Sequence, residues 1–185
     1  SHAIMMCKSE DFGLTFTKSV VVARINPFDQ FSENNRFRTY AFPTIAVDDN
    51  GIVYVAWSDR GLEQQGDARI VITTSEDGIN WPSPVAVDNH GDGGHQIMPS
   101  LTFAAGKLMM TWYDTRKSEG GFEPDISDPG PTGMRHTMDV WVAQAEPSLN
   151  PTFADHKQVS KYLYWVETVN GEVPSEPKIQ QMEFN

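Results

Sequence analysis

The sequence predicts an all-β fold, and three observations support this prediction. The 185 residues include 14 Gly and 12 Pro, which favour short strands joined by turns over long helices. Residues typical of strands, the β-branched and aromatic types, occur throughout the chain. One strand-like segment also occurs twice, with its tryptophan at Trp57 and again 55 residues later at Trp112.

The repeated segment reads as strand, tight glycine turn and strand. Its first copy covers residues 43–60 and its second covers 99–116. Over 53–58, Val53, Val55 and Trp57 alternate with the residues between them, which predicts a hairpin with one face inward. Trp57 and its equivalent Trp112 are therefore predicted to lie in the core.

Further strands are predicted around each hairpin, so that the chain divides into four-strand units. A third strand is predicted at 68–74 and again at 140–145, and a fourth at 85–87. The opening of the chain has the layout of a third and fourth strand. The predicted units are the end of one unit at 1–26, a complete unit at 27–90, a further unit at 91–160 with a long loop at 117–138, and a following unit or closing hairpin at 161–185.

A turn motif joins the third strand to the fourth. Its Asp can accept backbone N–H groups across the bend, its Gly can adopt positive φ, and its aromatic residue can pack beneath. A degenerate third copy is predicted at 148–153. The motif residues are Ser9, Asp11, Gly13 and Phe16 in the first copy, and Ser75, Asp77, Gly78 and Trp81 in the second.

These turns resemble the Asp-box, or bacterial neuraminidase repeat, and the surrounding units resemble blades of a sialidase-like β-propeller. The resemblance covers about residues 3–160. It implies a partial propeller of about three blades, because propellers usually need four to eight blades to close. We therefore expect either a segment of a longer protein or a half-ring completed by a second copy.

The same resemblance implies that ligands meet the loop face, opposite the Asp-box turns. It gathers the segments 27–42, 60–69, 88–98 and 117–138 on that face. The charged and polar candidates there are Arg36, Arg38, Glu63, Asp67, His90, Asp92, His95, Arg116, Glu119, Glu123, Asp125, Asp128, Arg135 and His136.

Residues that recur in successive units are expected to stabilise the unit itself. Asp59 recurs as Asp114, Asp67 recurs as Asp139, and Arg60 is expected to have Arg116 as its equivalent. The predicted ligand-binding residues are instead ones that do not recur: His90, Asp92, His95, Arg135 and His136.

Three of these residues also form the predicted metal site. His90, Asp92 and His95 place two imidazoles and a carboxylate in a glycine-rich loop that can wrap a divalent cation. The alternative is an ordinary connecting loop in which His95 hydrogen-bonds to a neighbouring strand. No cofactor is predicted, with a structural divalent cation such as calcium left open.

Catalysis is left open as well. The resemblance implies an arginine cluster for a substrate carboxylate, a Tyr–Glu nucleophile pair and an acidic Asp. Ala41 and Ile97 stand where its first arginine is expected, two residues before Pro. The candidate catalytic residues are Tyr113, Asp114, Arg116 and Arg135, and no Tyr–Glu pair can be assigned.

Composition excludes several other classes. The formal net charge of -11 disfavours nucleic-acid binding, and no apolar run is long enough to span a membrane. The single cysteine, Cys7, excludes an intrachain disulfide and a cysteine-rich zinc site. The resemblance implies a module of a larger exported protein, located outside the cell, at its surface or in the periplasm, that binds a glycan or a protein. The alternative is an exo-glycosidase whose active site is completed by missing blades or by a second copy.

Overall fold

The computed structural model describes residues 2–27, 41–62, 67–91, 93–116, 136–161, 163–166 and 179–182; residues 136–137, 163–166 and 179–182 are described by their backbone alone. All regular elements in these ranges are β-strands, so the all-β prediction is confirmed. The described part of the chain accordingly contains no helix with the length and hydropathy needed to span a bilayer. The strands are β1 (His2–Met6), β2 (Val20–Ile25), β3 (Thr44–Val47), β4 (Val53–Asp59), β5 (Arg69–Ser75), β6 (Val85–Ala86), β7 (Gln96–Ala104), β8 (Lys107–Asp114), β9 (His136–Ala145), β10 (Ala154–Gln158), β11 (Leu163–Val166) and β12 (Ile179–Met182).

The strands form three antiparallel sheets in chain order. Sheet 1 is β1–β2, and sheet 2 is the meander β3–β4–β5–β6. Sheet 3 is the meander β7–β8–β9–β10, and the hairpin β11–β12 joins it because β11 also pairs with β9. The two copies of the repeated segment are therefore the hairpins β3–β4 and β7–β8.

Sheet 2 is covered on both of its faces. Val55, Trp57 and Val71 pack against Ile4 and Val22 of sheet 1. The intervening side chains of β4 face sheet 3, and as a result every residue of β5 and all but the first residue of β4 are buried. The expectation that this hairpin has only one inward face was wrong. The alternating side chains of β4 face two apolar layers, sheet 1 on one side and sheet 3 on the other.

The inter-sheet core lies between sheets 2 and 3. Tyr54 and Ile70 of sheet 2 meet Leu108, Met110 and Trp112 of β8. Strand β8 alternates as a one-faced strand should, since every second side chain from Leu108 onward is buried whereas Met109 is 41% exposed. Trp57 and Trp112 are both fully buried, as predicted.

The turn after β5 is organised by one carboxylate. Asp77 Oδ1 accepts the backbone N–H groups of Ile79 and Asn80, each at 2.8 Å, and Ser75 Oγ accepts that of Gly78 at 2.9 Å. Gly78 has φ of 70°, and a Cβ there would lie 2.8 Å from a methyl carbon of Met6 in sheet 1. The hydrogen bonds from Asn80 and Ile79 hold the pKa of Asp77 well below its usual range.

The turn after β1 has related hydrogen bonds but no aromatic residue beneath it. Hydrogen bonds from the side chain and backbone of Thr15, followed by one from Ser9, lower the pKa of Asp11 to about 2. Phe16 is 63% exposed, whereas Trp81 packs against the apolar cluster between sheets 1 and 2. The expectation that Phe16 packs beneath its turn was therefore wrong.

Strand β7 contains a β-bulge. Ile97 pairs with Tyr113 and Ser100 pairs with Thr111, so that β7 has one residue more than β8 between these pairs. Met98, inside this stretch, has φ of 52°. The bulge lets Ile97 pack against Ala68 and Met138 near one end of the sheets.

Leu108→Ala tests the inter-sheet core. We expect a loss of about 2–5 kcal/mol in the free energy of unfolding, because the substitution leaves a cavity between packed sheets. Urea denaturation measures this loss, and Met109→Ala on the other face of the same strand is the matched control, expected within about 0.5 kcal/mol of wild type. Equal effects of the two substitutions would contradict the packing of sheet 3 on sheet 2.

Candidate functional site

Described residues that border the segments predicted to share one face lie at one end of the sheets. Asp59 pairs with Arg69 at one end of the β4–β5 ladder, and Val53 pairs with Ser75 at the other. Residues 60–62 and 67–68 and the turn 76–84 therefore lie at opposite ends of sheet 2. In sheet 3 the pair Asp114–Asp139 lies at the end where β8 leads into its loop. We call this end, which also carries residues 88–95, the loop end.

Asp114 is the central acceptor at the loop end. Trp112 Nε1 donates to its Oδ2 at 3.1 Å, and the backbone N–H of Arg116 donates to its Oδ1 at 2.8 Å. The carboxylate is almost fully buried, at 1% exposure of the residue. A buried carboxylate of this kind requires compensating donors and a cation, and Arg116 provides both.

The same Trp–Asp hydrogen bond occurs in sheet 2. Trp57 Nε1 donates to Asp59 Oδ2 at 3.0 Å, and the N–H of Gly61 donates to Asp59 Oδ1 at 2.7 Å. Gly61 thus takes the place of Arg116, two residues after the aspartate. Arg60 follows its aspartate directly, one residue earlier than Arg116 follows Asp114, and its expected equivalence with Arg116 stays a prediction.

Several charged and aromatic side chains meet around Arg116 at the loop end, and we call them the loop-end cluster. Nη2 of Arg116 donates to Asp88 Oδ2 at 2.5 Å and to Asp114 Oδ2 at 2.6 Å. Its Cζ lies 3.9 Å from the centre of the Trp141 ring, in a cation–π contact. The cluster consists of Asp88, His90, Asp114, Arg116 and Trp141.

The pKa values follow from this pairing. Burial raises the pKa of Asp114, but the nearby His90 ring and the hydrogen bonds and charge of Arg116 outweigh it and hold the pKa well below its usual range. Burial lowers the pKa of Arg116. Its hydrogen bonds to Asp114 and Asp88 raise the pKa by more, so that the net shift is upward. Asp114 and the Arg116 guanidinium therefore form a stable ion pair.

His90 completes the cluster. Its side chain is 10% exposed, and its Nε2 lies 3.7 Å from Asp114 Oδ2, beyond hydrogen-bond distance. Both ring nitrogens are buried and have no hydrogen-bond partner among the described residues. Nε of Arg116 and Nε1 of Trp141 are likewise buried without a hydrogen-bond partner among the described residues. One ligand atom each from Asp88, His90 and Asp114 lie within 4.8 Å of one another.

His95 belongs to a separate network. Its Nδ1 accepts the N–H of Ala68 at 3.0 Å, which confirms the predicted hydrogen bond to a neighbouring strand segment, and its backbone N–H donates to Thr115 Oγ1 at 2.8 Å. Burial is the largest influence on His95 and lowers its pKa to about 4. The charge of Asp67, 3.8 Å away, acts in the opposite direction, and nearby arginines lower the pKa further.

Gly94 fixes the loop between these two histidines against the end of β8. It has φ of +103°, and a Cβ at this position would lie 2.7 Å from the backbone nitrogen of Arg116. Its carbonyl accepts a hydrogen bond of 2.6 Å from Nη1 of Arg69. The approach of backbone to backbone at this point requires glycine.

Asp67 and Asp139, predicted as recurring braces, make different contacts. Asp139 is buried, and its Oδ1 accepts from Gln158 Nε2 at 2.7 Å and from Ser160 Oγ at 3.1 Å. Asp67 lies beside His95. Asp139 thus stabilises the β9–β10 edge, while Asp67 acts on the loop.

The remaining predicted site residues are separated. Tyr113 is 38% exposed on the face of β8 opposite Asp114, so that these two catalytic candidates do not converge. His136 is described by its backbone alone, as the first residue of β9. Candidates that lie outside the described residues are Arg36, Arg38, Glu63, Asp92, Glu119, Glu123, Asp125, Asp128 and Arg135.

Two members of the loop-end cluster were missed by sequence reasoning. Asp88 stands two residues before His90 and directly after Val87, whose carbonyl lies 3.2 Å from His156 Nε2. Its partner Arg116 lies 28 positions away, so no local pattern marks the pair. Trp141 gave a clearer signal, since an aromatic residue in a strand neighbouring an arginine-bearing loop is a common cation–π partner.

No family model matches any part of the sequence, and no curated protein matches it.

Arg116→Ala tests the buried charge pairing. We expect a loss of about 3–5 kcal/mol in the free energy of unfolding, because two buried carboxylates lose their cation. Lys107→Ala is the control, since Lys107 pairs with Glu146 on the exposed surface and its loss should cost less than about 1 kcal/mol. Urea denaturation at pH 7 compares the two, and similar small losses would show that Asp88 and Asp114 need no cation.

The low pKa of His95 predicts a specific pH dependence. An unfolded histidine takes up a proton near pH 6.5 and the folded one only near pH 4, so stability falls as the pH is lowered through this window. The full loss is about 3 kcal/mol.

His95→Asn is the reference variant, because the amide oxygen can still accept the N–H of Ala68 but does not titrate. Urea denaturation of both proteins at pH 7.5 and 4.5 isolates the histidine, since contributions from carboxylates cancel. If wild type and variant lose equal stability between these pH values, His95 is not buried as described.

Proposed function

We propose that this chain is a segment of a sialidase-like β-propeller that acts as a binding or scaffold module without catalysis of its own. Support for the propeller comes from three antiparallel sheets that follow one another in chain order, with sheet 2 packed face to face between sheets 1 and 3. The recurring Trp–Asp hydrogen bonds and the two carboxylate-centred turns add to it.

One observation carries the non-catalytic part of the proposal: the charged groups of the loop-end cluster are committed to one another. Arg116 is bound to Asp88 and Asp114 and is stacked on Trp141, so that it is not positioned to clamp a substrate carboxylate. A glycosidase general acid must hold its proton near neutral pH, which requires a raised pKa. The pKa of Asp114 is shifted in the opposite direction.

Tyr113 supports the same conclusion. It is a neighbour of Asp114 in β8, and adjacent residues of a strand face opposite sides of the sheet. A nucleophile and an acid must flank one glycosidic bond, which these two side chains cannot do. A glycosidase would need a site built from other residues or completed by a second chain, and this remains the alternative.

We assign ligand contact to the loop end, and propose a glycan as the ligand of an exported protein. Exposed side chains at this end include Leu62, which is 48% exposed just after β4. The turn end offers a counterpart of similar character, Ile79, which is 64% exposed. The two positions allow the two ends of the sheets to be compared in one experiment.

A glycan array probed with the 185-residue chain tests this proposal, together with hydrolysis assays on fluorogenic sialosides and hexosides. We expect binding to a subset of glycans and no hydrolysis. Leu62→Glu at the loop end should weaken binding, because a charged side chain disrupts the apolar contact, whereas Ile79→Glu at the turn end should not.

Two results would contradict the proposal. An array without signal would show that glycan binding is wrong, and sialoside hydrolysis that is lost in a loop-end variant would establish the glycosidase alternative instead.

A further inference from the structure

The loop-end cluster contains three groups that are arranged as ligands of a metal ion. Asp88, His90 and Asp114 each offer one atom, and the three atoms lie within 4.8 Å of one another. They come from two separate places in the chain, the β6–β7 connection and the end of β8. A shared ion would therefore join sheet 3 to the loop that leads into it.

The state of His90 is the independent observation that points to a ligand. A buried imidazole normally finds a partner for at least one nitrogen, because leaving polar atoms unsatisfied costs free energy. Here both nitrogens are buried without a hydrogen-bond partner among the described residues, and Nε2 faces Asp114 Oδ2 at 3.7 Å. That separation is too long for a hydrogen bond and leaves the nitrogen aimed at the carboxylates.

The charge of the cluster also favours a cation. Two buried carboxylates face one guanidinium, so that one negative charge is left uncompensated by Arg116. Asp114 Oδ2 already accepts two hydrogen bonds, from Trp112 and Arg116. Asp114 Oδ1 accepts only the backbone N–H of Arg116 among the described donors, so that the carboxylate keeps the capacity to bind a cation.

The donor set selects the kind of ion. One imidazole nitrogen and two carboxylate oxygens suit Zn²⁺ and related transition metals, whereas Ca²⁺ prefers six to eight oxygen ligands. We propose that Asp88, His90 and Asp114 bind a divalent transition-metal ion of the zinc class, with three protein ligands and the adjacent Arg116 moderating the affinity. This site differs from the one predicted from the sequence, because His95 is bonded to Ala68 and lies in another network.

Zinc titration of the metal-stripped chain tests the proposal. Because Cys7 is an exposed thiol and an alternative zinc ligand, the experiment uses a Cys7→Ser background. We expect one equivalent of Zn²⁺ to bind in calorimetry and to raise the melting temperature, since an ion that binds only the folded state stabilises it. Ca²⁺ at the same concentration should leave the melting temperature unchanged.

Matched variants locate the site. His90→Gln and Asp88→Asn should each weaken zinc binding more than about tenfold, as expected for loss of a direct ligand. His95→Asn is the control, because it replaces the other histidine of the same loop and should leave zinc affinity unchanged.

A spectroscopic measurement covers the case in which a variant fails to fold. Co²⁺ added to the Cys7→Ser protein should give the visible absorption of a four-coordinate site with nitrogen and oxygen ligands. Absence of zinc binding, absence of the cobalt spectrum, or zinc affinity that His90→Gln leaves intact would each overturn the proposal. A zinc site confirmed in a protein that binds no glycan would leave this inference standing on its own.

Discussion

The burial of sheet 2 on both faces is the constraint on which the rest of the structure depends. Strands β4 and β5 lie between two layers of side chains, one shared with sheet 1 and one with sheet 3. Neither neighbouring sheet has comparable coverage in the described residues; β8 exposes every second side chain. The apolar surface removed from water at these two contacts is what stabilises small sheets that would be marginal in isolation.

Close packing of the sheets has an electrostatic consequence at their ends. The strands finish with aspartates, Asp59 and Asp114, whose carboxylates are buried with the sheet. Each accepts an indole N–H from a tryptophan two residues earlier and a backbone N–H from two residues later. Each tryptophan thus packs between two sheets and also donates a hydrogen bond to the buried carboxylate at the end of its strand. In sheet 3 the additional carboxylate of Asp88 requires the guanidinium of Arg116, and the loop end becomes a site of concentrated charge.

Most of the fold could be predicted from the sequence because its signals are local. The spacing of Trp57 and Trp112 identified the two hairpins, and the glycine and aspartate of the turn at 75–81 identified the bend. The number of buried faces of each strand was harder to predict. The alternation of Val53 and Tyr54 is the same whether the second face of the strand meets water or another sheet. The turn at 9–16 shows the same limit, because Phe16 follows the pattern of Trp81 but meets no cluster.

The loop-end cluster was predictable only in part, because it depends on contacts between distant residues. His90, Asp114 and Arg116 stood out as polar residues beside predicted strand ends. Asp88 did not stand out. Its importance arises from its contact with Arg116, which lies 28 positions later in the sequence.

The bulge at Met98 has a consequence for how this sequence can change during evolution. Because β7 carries one residue more than β8 between the pairs Ile97–Tyr113 and Ser100–Thr111, side chains on its two sides follow different phases of alternation. Deleting one of the two residues between these pairs would leave a single residue opposite Trp112, so that the pairs on both sides, including Leu101 with Met110, are kept. The strand can thus lose one residue at the bulge without a change in β8, whereas a deletion between Ser100 and Ala104 shifts the register and requires a compensating deletion in β8.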